Sequence, residues 1–192
     1  LAPQVDTIFQ NYMSFNGGEL LLGLVYFSFQ IYCDFSGYSD IAIGTSKLFG
    51  FELMSNFNFP YFSRNIVEFW RRWHISLSSW FRDYLYIPLG GSRKGKLLSM
   101  RNIFIIFIVS GFWHGANWTF IMWGIIHATL YIPLFLMGKN RQHTTTEVAE
   151  NSFLPSFKET LHIATTYFLT MIAWVFFRRD TIHSAFEYLY RI

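Results

Sequence analysis

The chain is poor in charge and almost empty of cysteine. Only 14% of its 192 residues are Asp, Glu, Lys or Arg, against about a quarter in a soluble globular domain. The single Cys33 excludes an internal disulfide framework and a cysteine-based zinc site, and it is read as a packed thiol. No signal-peptide pattern and no initiator methionine open the sequence at Leu1, so it reads as a piece of a longer protein. Internal repeats and a second domain are also missing. What fills the chain instead is apolar: 52% hydrophobic and 21% aromatic, with a mean hydropathy of +0.26. This balance implies an integral membrane protein.

The formal charge of +3 could point to nucleic acid. The cations, however, fall in short clusters beside apolar runs (Arg93, Lys94, Lys96 and Arg101, then Arg178 and Arg179). That pattern suits anchoring at a lipid surface, so membrane lipid is the expected partner and nucleic acid is not.

Leu20 to Cys33 is the first apolar segment, shorter than the roughly 20 residues of a spanning helix. It meets Asp34-Phe35-Ser36-Gly37-Tyr38-Ser39-Asp40, where acids and small residues predict a broken or re-entrant backbone. A short helix over Ile41 to Phe51 and a turn over Asn56 to Pro60 follow. Asn65 to Ile87 reads as one long amphipathic helix, with Asn65 and Glu68 at capping-box spacing and Pro88 as its stop. Phe69, Trp70, Trp73, Leu77, Trp80, Phe81 and Tyr84 share one face; Glu68, Arg71, Arg72, Ser79, Arg82 and Asp83 take the other. Such a helix belongs at the interface or beside a wet cavity. Ile103 to Val109, Trp118 to Met137 and Leu161 to Phe177 are further apolar stretches, and the segment 139–156 is a variable polar loop. The two basic clusters are expected on one membrane face, with the His114 region entering incompletely.

Two histidines follow tryptophans inside this apolar setting: His74 in Glu68-Phe69-Trp70-Arg71-Arg72-Trp73-His74, and His114 in Ser110-Gly111-Phe112-Trp113-His114-Gly115. An ionisable side chain at membrane depth is expensive and marks a functional site by default. A neutral imidazole at 114 can take a proton from an attacking hydroxyl; the plainer alternative is a core histidine bonded to a carbonyl. His74 either faces the same cavity or snorkels at the edge of its helix. His127 sits mid-span. Along a straight helix it lies about 20 Å from His114, so a bond across helices is its simpler role. Asp34 and Asp40 are read either as relay acids or as turn and cap residues. No histidine pair has i, i+4 spacing and no cysteine pair exists, which argues against a metal.

Several long stretches, in order, resemble the membrane-bound O-acyltransferase family, in its bacterial alginate O-acetyltransferase-like branch. They are Gln30-Ile31-Tyr32-Cys33-Asp34-Phe35-Ser36-Gly37-Tyr38-Ser39-Asp40, Asn56-Phe57-Asn58-Phe59-Pro60-Tyr61 and Phe69-Trp70-Arg71-Arg72-Trp73-His74-Ile75-Ser76-Leu77-Ser78. Arg82 to Gly91, Gly111-Phe112-Trp113-His114-Gly115-Ala116 and Ala173-Trp174-Val175-Phe176-Phe177-Arg178 continue the series.

The resemblance implies an all-α polytopic protein whose transmembrane, interfacial and re-entrant helices ring a tunnel. Residues 1–192 would form a single membrane domain, the C-terminal part of a longer catalytic domain. It implies a multi-pass protein of the bacterial inner membrane that transfers an acetyl group from a thioester donor, acetyl-CoA or an acyl carrier protein, with no tightly bound cofactor. The acceptor would be a hydroxyl of an extracellular polysaccharide such as alginate, reached directly or through an extracytoplasmic partner protein. His114 carries over as the catalytic base and His74 as the second site histidine. Ser78, Asn117, Arg71 and Trp113 are the candidates for positioning substrate. A transporter or scaffold subunit of a polysaccharide export complex is the non-enzymatic alternative.

Overall fold

The computed structural model describes residues 1–143, 148–150 and 152–192; the Thr144-Thr145-Thr146 run of the expected polar loop lies outside them. Among the described residues eight α-helices follow in order: α1 (Ala2–Gln10), α2 (Gly17–Leu48), α3 (Ile66–Arg72), α4 (Ile75–Phe81), α5 (Lys96–His114), α6 (Trp118–Leu136), α7 (Phe157–Arg178) and α8 (Ile182–Arg191). Among the described residues the one β-type contact is an antiparallel bridge between Phe57 and Trp73. Helices α2, α5, α6 and α7 are each long and apolar enough to cross a membrane, so the protein is a multi-pass helical membrane protein.

The first span differs from its sequence reading. Residues 17–48 form one uninterrupted helix of 32 residues, with Asn16 and Glu19 closing a capping box. At 1.5 Å per residue it is about 48 Å long, well beyond the roughly 30 Å hydrocarbon core. Gly37 and Gly44 do not break it: each lowers helix propensity by only about 1 kcal/mol, and long apolar flanks supply cooperativity. Asp34 and Asp40 therefore stand exposed along a helix, not in a turn or cap. Cys33 is exposed on the same helix and is not a packed thiol.

The expected helix over 65–87 is instead broken. α3 ends at Arg72, His74 takes a left-handed conformation (φ 47°, ψ 55°), α4 restarts at Ile75, and a π-helical turn covers Arg82–Tyr86. A left-handed residue cannot continue a right-handed helix, so the single amphipathic face does not exist. Asn65 does cap the Glu68 N–H at 2.9 Å. The Glu68 carboxylate turns away, accepting from the Arg64 N–H at 2.7 Å and pairing with Arg64 and Arg72 at 2.9 and 2.7 Å. Assigned to the polar face by periodicity, Glu68 is in fact 1% exposed. Burial alone would raise its pKa, but these arginine and backbone bonds outweigh it and hold the carboxyl below its usual range. Arg64 also reaches Glu159 at 3.4 Å, tying α3 to the start of α7.

α5 and α6 form a close antiparallel hairpin. Hydrophobic driving force is lost between helices in lipid, so close backbone approach at small residues takes over. A Cβ added to Gly111 would lie 2.3 Å from the Phe120 carbonyl oxygen, and one on Gly124 would lie 2.2 Å from that of Phe107. Neither backbone oxygen can step aside as a flexible side chain could. Gly124→Ala is expected to push the hairpin apart and cost about 1–3 kcal/mol, read as a lower unfolding temperature of the detergent-solubilised full-length protein. An unchanged temperature would show that the hairpin tolerates separation.

α5, α6 and α7 are three successive passes. Phe177, at the end of α7, packs on His114 at the end of α5 with ring centroids 4.9 Å apart. Arg178 and Arg179 thus lie at the His114 end, while Arg93 to Arg101 lie at the opposite end. This corrects the expectation that the two clusters share a face. The reason is that α5 runs its full 19 residues to His114 and does not enter incompletely. Arg178 is engaged by Asp6 of α1 at 2.6 Å, and Arg179 lies 4.3 Å over the Tyr12 ring.

Candidate active site

α5 ends on Trp113 and His114 where the chain turns through Gly115 into α6. A Cβ on Gly115 would meet the Phe120 ring at 2.7 Å, so the missing side chain lets this turn fold tightly. His114 is half-buried among aromatic rings: Trp113 at 4.9 Å, Phe177 at 4.9 Å and Trp123 at 5.2 Å, all near perpendicular. The opposite wall comes from the break between α3 and α4. There His74 packs edge-on against Phe35 of α2 at 4.6 Å and against Trp113 at 6.1 Å. Trp113 therefore bridges the two imidazoles. Burial, and secondarily the neighbouring His114, push His74 down to about 4. It stands neutral at pH 7, able to accept a hydrogen bond.

An open cleft of about 530 Å³ lies between α2 and the end of α7, lined by Gln30, Asp34, Phe35, Phe177 and Arg178 among others. Phe35 and Phe177 belong to both the cleft and the histidine walls. A polar group entering the cleft is therefore one ring away from each imidazole. This also accounts for an exposed Asp34 midway along an apolar helix, where a wet groove spares a carboxylate from lipid.

The remaining candidates separate. Trp113 lies between the histidines. Ser78 sits one turn into α4, its hydroxyl turned back to the Trp73 carbonyl at 3.5 Å and its N–H bonded to the His74 carbonyl at 3.0 Å. Asn117 caps α6, accepting from the Thr119 N–H at 3.1 Å, and donates to the Asp180 carbonyl at 2.9 Å. Arg71 lies apart from the pair: its guanidinium donates to the carbonyls of Asn140 and Gln142 beyond the far end of α6. His127 is fully buried, and its Nδ1 accepts the Trp70 indole N–H at 3.2 Å, a bond across helices as its mid-span place suggested. Phe35 and Phe177 stand within the family-like stretches and Trp123 within an apolar span, but one aromatic among many carries no signal of its own, so the sequence does not single out these three as shaping the site. Among the described residues no three His, Cys, Asp or Glu side chains converge to hold a metal ion.

Membrane helices that carry two histidines into a shared aromatic-walled recess beside an open cleft define a polytopic helical membrane protein with a candidate active site. Residues 7–177 match the family model described as MBOAT, membrane-bound O-acyltransferase family. The chain belongs to that family. It is 46% identical over 168 residues to a Pseudomonas fluorescens protein named probable alginate O-acetylase AlgI, covering 88% of this chain and 32% of that protein. It is 45% identical over 163 residues to the Helicobacter pylori peptidoglycan O-acetyltransferase, covering 85% and 29% respectively. With the Bacillus subtilis teichoic acid D-alanyltransferase it shares 37% identity over 137 residues, covering 66% and 35%. The chain thus spans about a third of the length of these curated relatives.

Proposed function

We propose that the protein this chain belongs to is a membrane O-acyltransferase that moves an acetyl group from a thioester donor to a hydroxyl of an extracellular polysaccharide, directly or through a partner protein. The observation that carries this reading is the pair of imidazoles, His114 and His74, walled by Trp113 and opening beside the cleft. His114 takes the proton of the acceptor hydroxyl as its oxygen attacks the thioester carbonyl carbon. The carbon–oxygen bond forms, the carbon–sulfur bond breaks, and the thiolate leaves with the proton returned from His114. His74, neutral and facing the same recess, orients the acceptor or the developing oxyanion; Ser78 and Trp113 are the nearest supports for it. No covalent enzyme intermediate is needed. The donor is acetyl-CoA or an acyl carrier protein, and no tightly bound cofactor enters the scheme.

Alginate-type polysaccharide is the favoured acceptor, because relatives similar over most of this chain carry the alginate O-acetylase name. Residues 1–192 act as one membrane unit of that enzyme, with 139–156 as its variable loop. Arg93, Lys94, Lys96 and Arg101 lie at the same end of the hairpin as Lys139 and Arg141, which by the positive-inside tendency faces the cytoplasm. This orientation puts the recess towards the outer side of a bacterial inner membrane, where an extracellular acceptor arrives. The test is incorporation of labelled acetate from acetyl-CoA into base-labile esters of polysaccharide, using membranes that hold the full-length protein. Label that does not depend on the protein, with acetyl-CoA and with acetylated acyl carrier protein alike, would exclude acyl transfer and favour a transport or scaffold role.

A further inference from the structure

Asn56 lies in the segment between α2 and α3, which the sequence marks only as a turn. Four hydrogen bonds leave it. Its carbonyl accepts the Ile75 N–H at 3.0 Å. Its Oδ1 accepts both the Ser76 N–H at 3.2 Å and the Ser76 hydroxyl at 2.6 Å, and its Nδ2 donates to the Ser39 hydroxyl of α2 at 3.1 Å. Two residues on, the Asn58 N–H donates to the Arg72 carbonyl at 3.0 Å, and Phe57 pairs with Trp73. The segment is laid across the α3–α4 break like one rung of a sheet, bonded on both sides of His74.

That placement coincides with the strained point of the backbone. A non-glycine residue in the left-handed region costs about 1–2 kcal/mol, and it persists only where its surroundings over-determine it. Here the determination comes from residues 56–58. Asn56 joins the turn after His74 to α2 by hydrogen bonds, Ser76 on one side and Ser39 on the other, while the Phe57 ring packs on Trp73 and on Phe35 of α2, the ring that forms a wall of the His74 pocket. The Asn56 side chain fixes the break and the wall relative to each other.

We infer that Asn56 is a positioning residue for His74: its amide holds the imidazole in register with Trp113 and His114 and touches no reacting atom itself. This rests on the acyl-transfer reading, in which His74 supports His114. An asparagine that merely stabilised its loop would lower stability whatever residue stood at 74. A positioning residue acts through the imidazole, and its effect vanishes when the imidazole is gone.

The experiment measures labelled acetate transfer from acetyl-CoA to polysaccharide in membranes of the source cells, each carrying one form of the full-length protein with abundance matched. Asn56→Leu is expected to lower the maximal rate about 10- to 100-fold, the scale of a misplaced catalytic group. The acetyl-CoA concentration at half-maximal rate should stay within about twofold, because a residue that acts only through His74 changes the chemical step and not donor binding. Asn56→Asp keeps the oxygen that accepts both Ser76 bonds, and the Ser39 hydroxyl can reverse to donate to its second oxygen, so it should restore most of the rate. In a His74→Ala background, Asn56→Leu should change the rate by less than about twofold.

Should Asn56→Leu fail to accumulate, Ser39→Ala cuts only the tether to α2. It should show a smaller loss with the same dependence on His74. An equal fold-loss in the presence and absence of His74, or no loss at all, would overturn the inference while leaving acyl transfer intact. Wild-type membranes without protein-dependent label, or a fully active His74→Ala form, would remove the underlying reading and the inference with it.

Discussion

Alanine at position 114 is expected to lower acyl transfer by roughly 10²- to 10⁴-fold, the range of a lost general base, with little change in stability. His114 is half-buried at the end of α5, and its neighbours Trp123 and Phe177 also hold each other, with Trp174 against Phe177. Truncating the imidazole leaves those ring contacts, the Gly111–Phe120 approach and the Asn117 cap in place. Rate and stability should therefore separate at this residue. Membranes carrying the full-length His114→Ala protein would show near-normal abundance and unfolding temperature but almost no labelled ester on the polysaccharide. Retained transfer would remove His114 from the role of base and return it to a packing residue.

Glu68→Ala is expected to do the reverse, with its main effect on stability. Glu68 is the buried anion shared by Arg64 and Arg72, and it also accepts the Arg64 backbone N–H. Removing one partner from a buried ionic group costs about 3–5 kcal/mol, because the remaining charge loses its compensation in a medium that cannot replace it. The unfolding temperature of the solubilised protein should fall by many degrees, with reduced accumulation in membranes. Glu68→Gln, which keeps a hydrogen-bond acceptor without the charge, should fall between. The pH dependence has a fixed sign. A carboxyl held below its ordinary range stabilises fully above that range, and the contribution is lost as the pH falls through the folded value. The gap between wild type and Glu68→Ala should therefore be widest near neutrality and shrink in acid. A gap that is constant with pH would mean that the charge of Glu68 contributes nothing.

Much of this architecture is legible in the sequence, and the failures share one cause. Long apolar runs with clean ends, such as Trp118 to Met137, give spans whose limits agree with α6 within a residue. The Trp-His pairs were visible because histidine is rare and costly in such a setting. Periodicity failed at 65–87: it assumes an unbroken helix, and nothing local to Trp73-His74 announces a left-handed residue. The break is imposed by residues 56–58, some 17 positions earlier, through hydrogen bonds that only the folded chain makes. The same holds for Glu68, whose burial follows from Arg64 and Arg72 closing over it. The opposite error arose at 34–40, where two acids and a glycine suggested a kink, yet local preferences of about 1 kcal/mol yield to the cooperativity of a long helix.

The left-handed backbone at His74 sets selection for robustness against selection for activity. Glycine, or to a lesser degree asparagine, sits in that conformation at less cost than an imidazole does. Changes that make the fold sturdier are thus readily available at this position, and each of them discards the side chain facing Trp113. On the proposed role of His74, a lineage released from the need for this chemistry is expected to drift there first, and loss of the imidazole at the break would then accompany loss of acyl transfer.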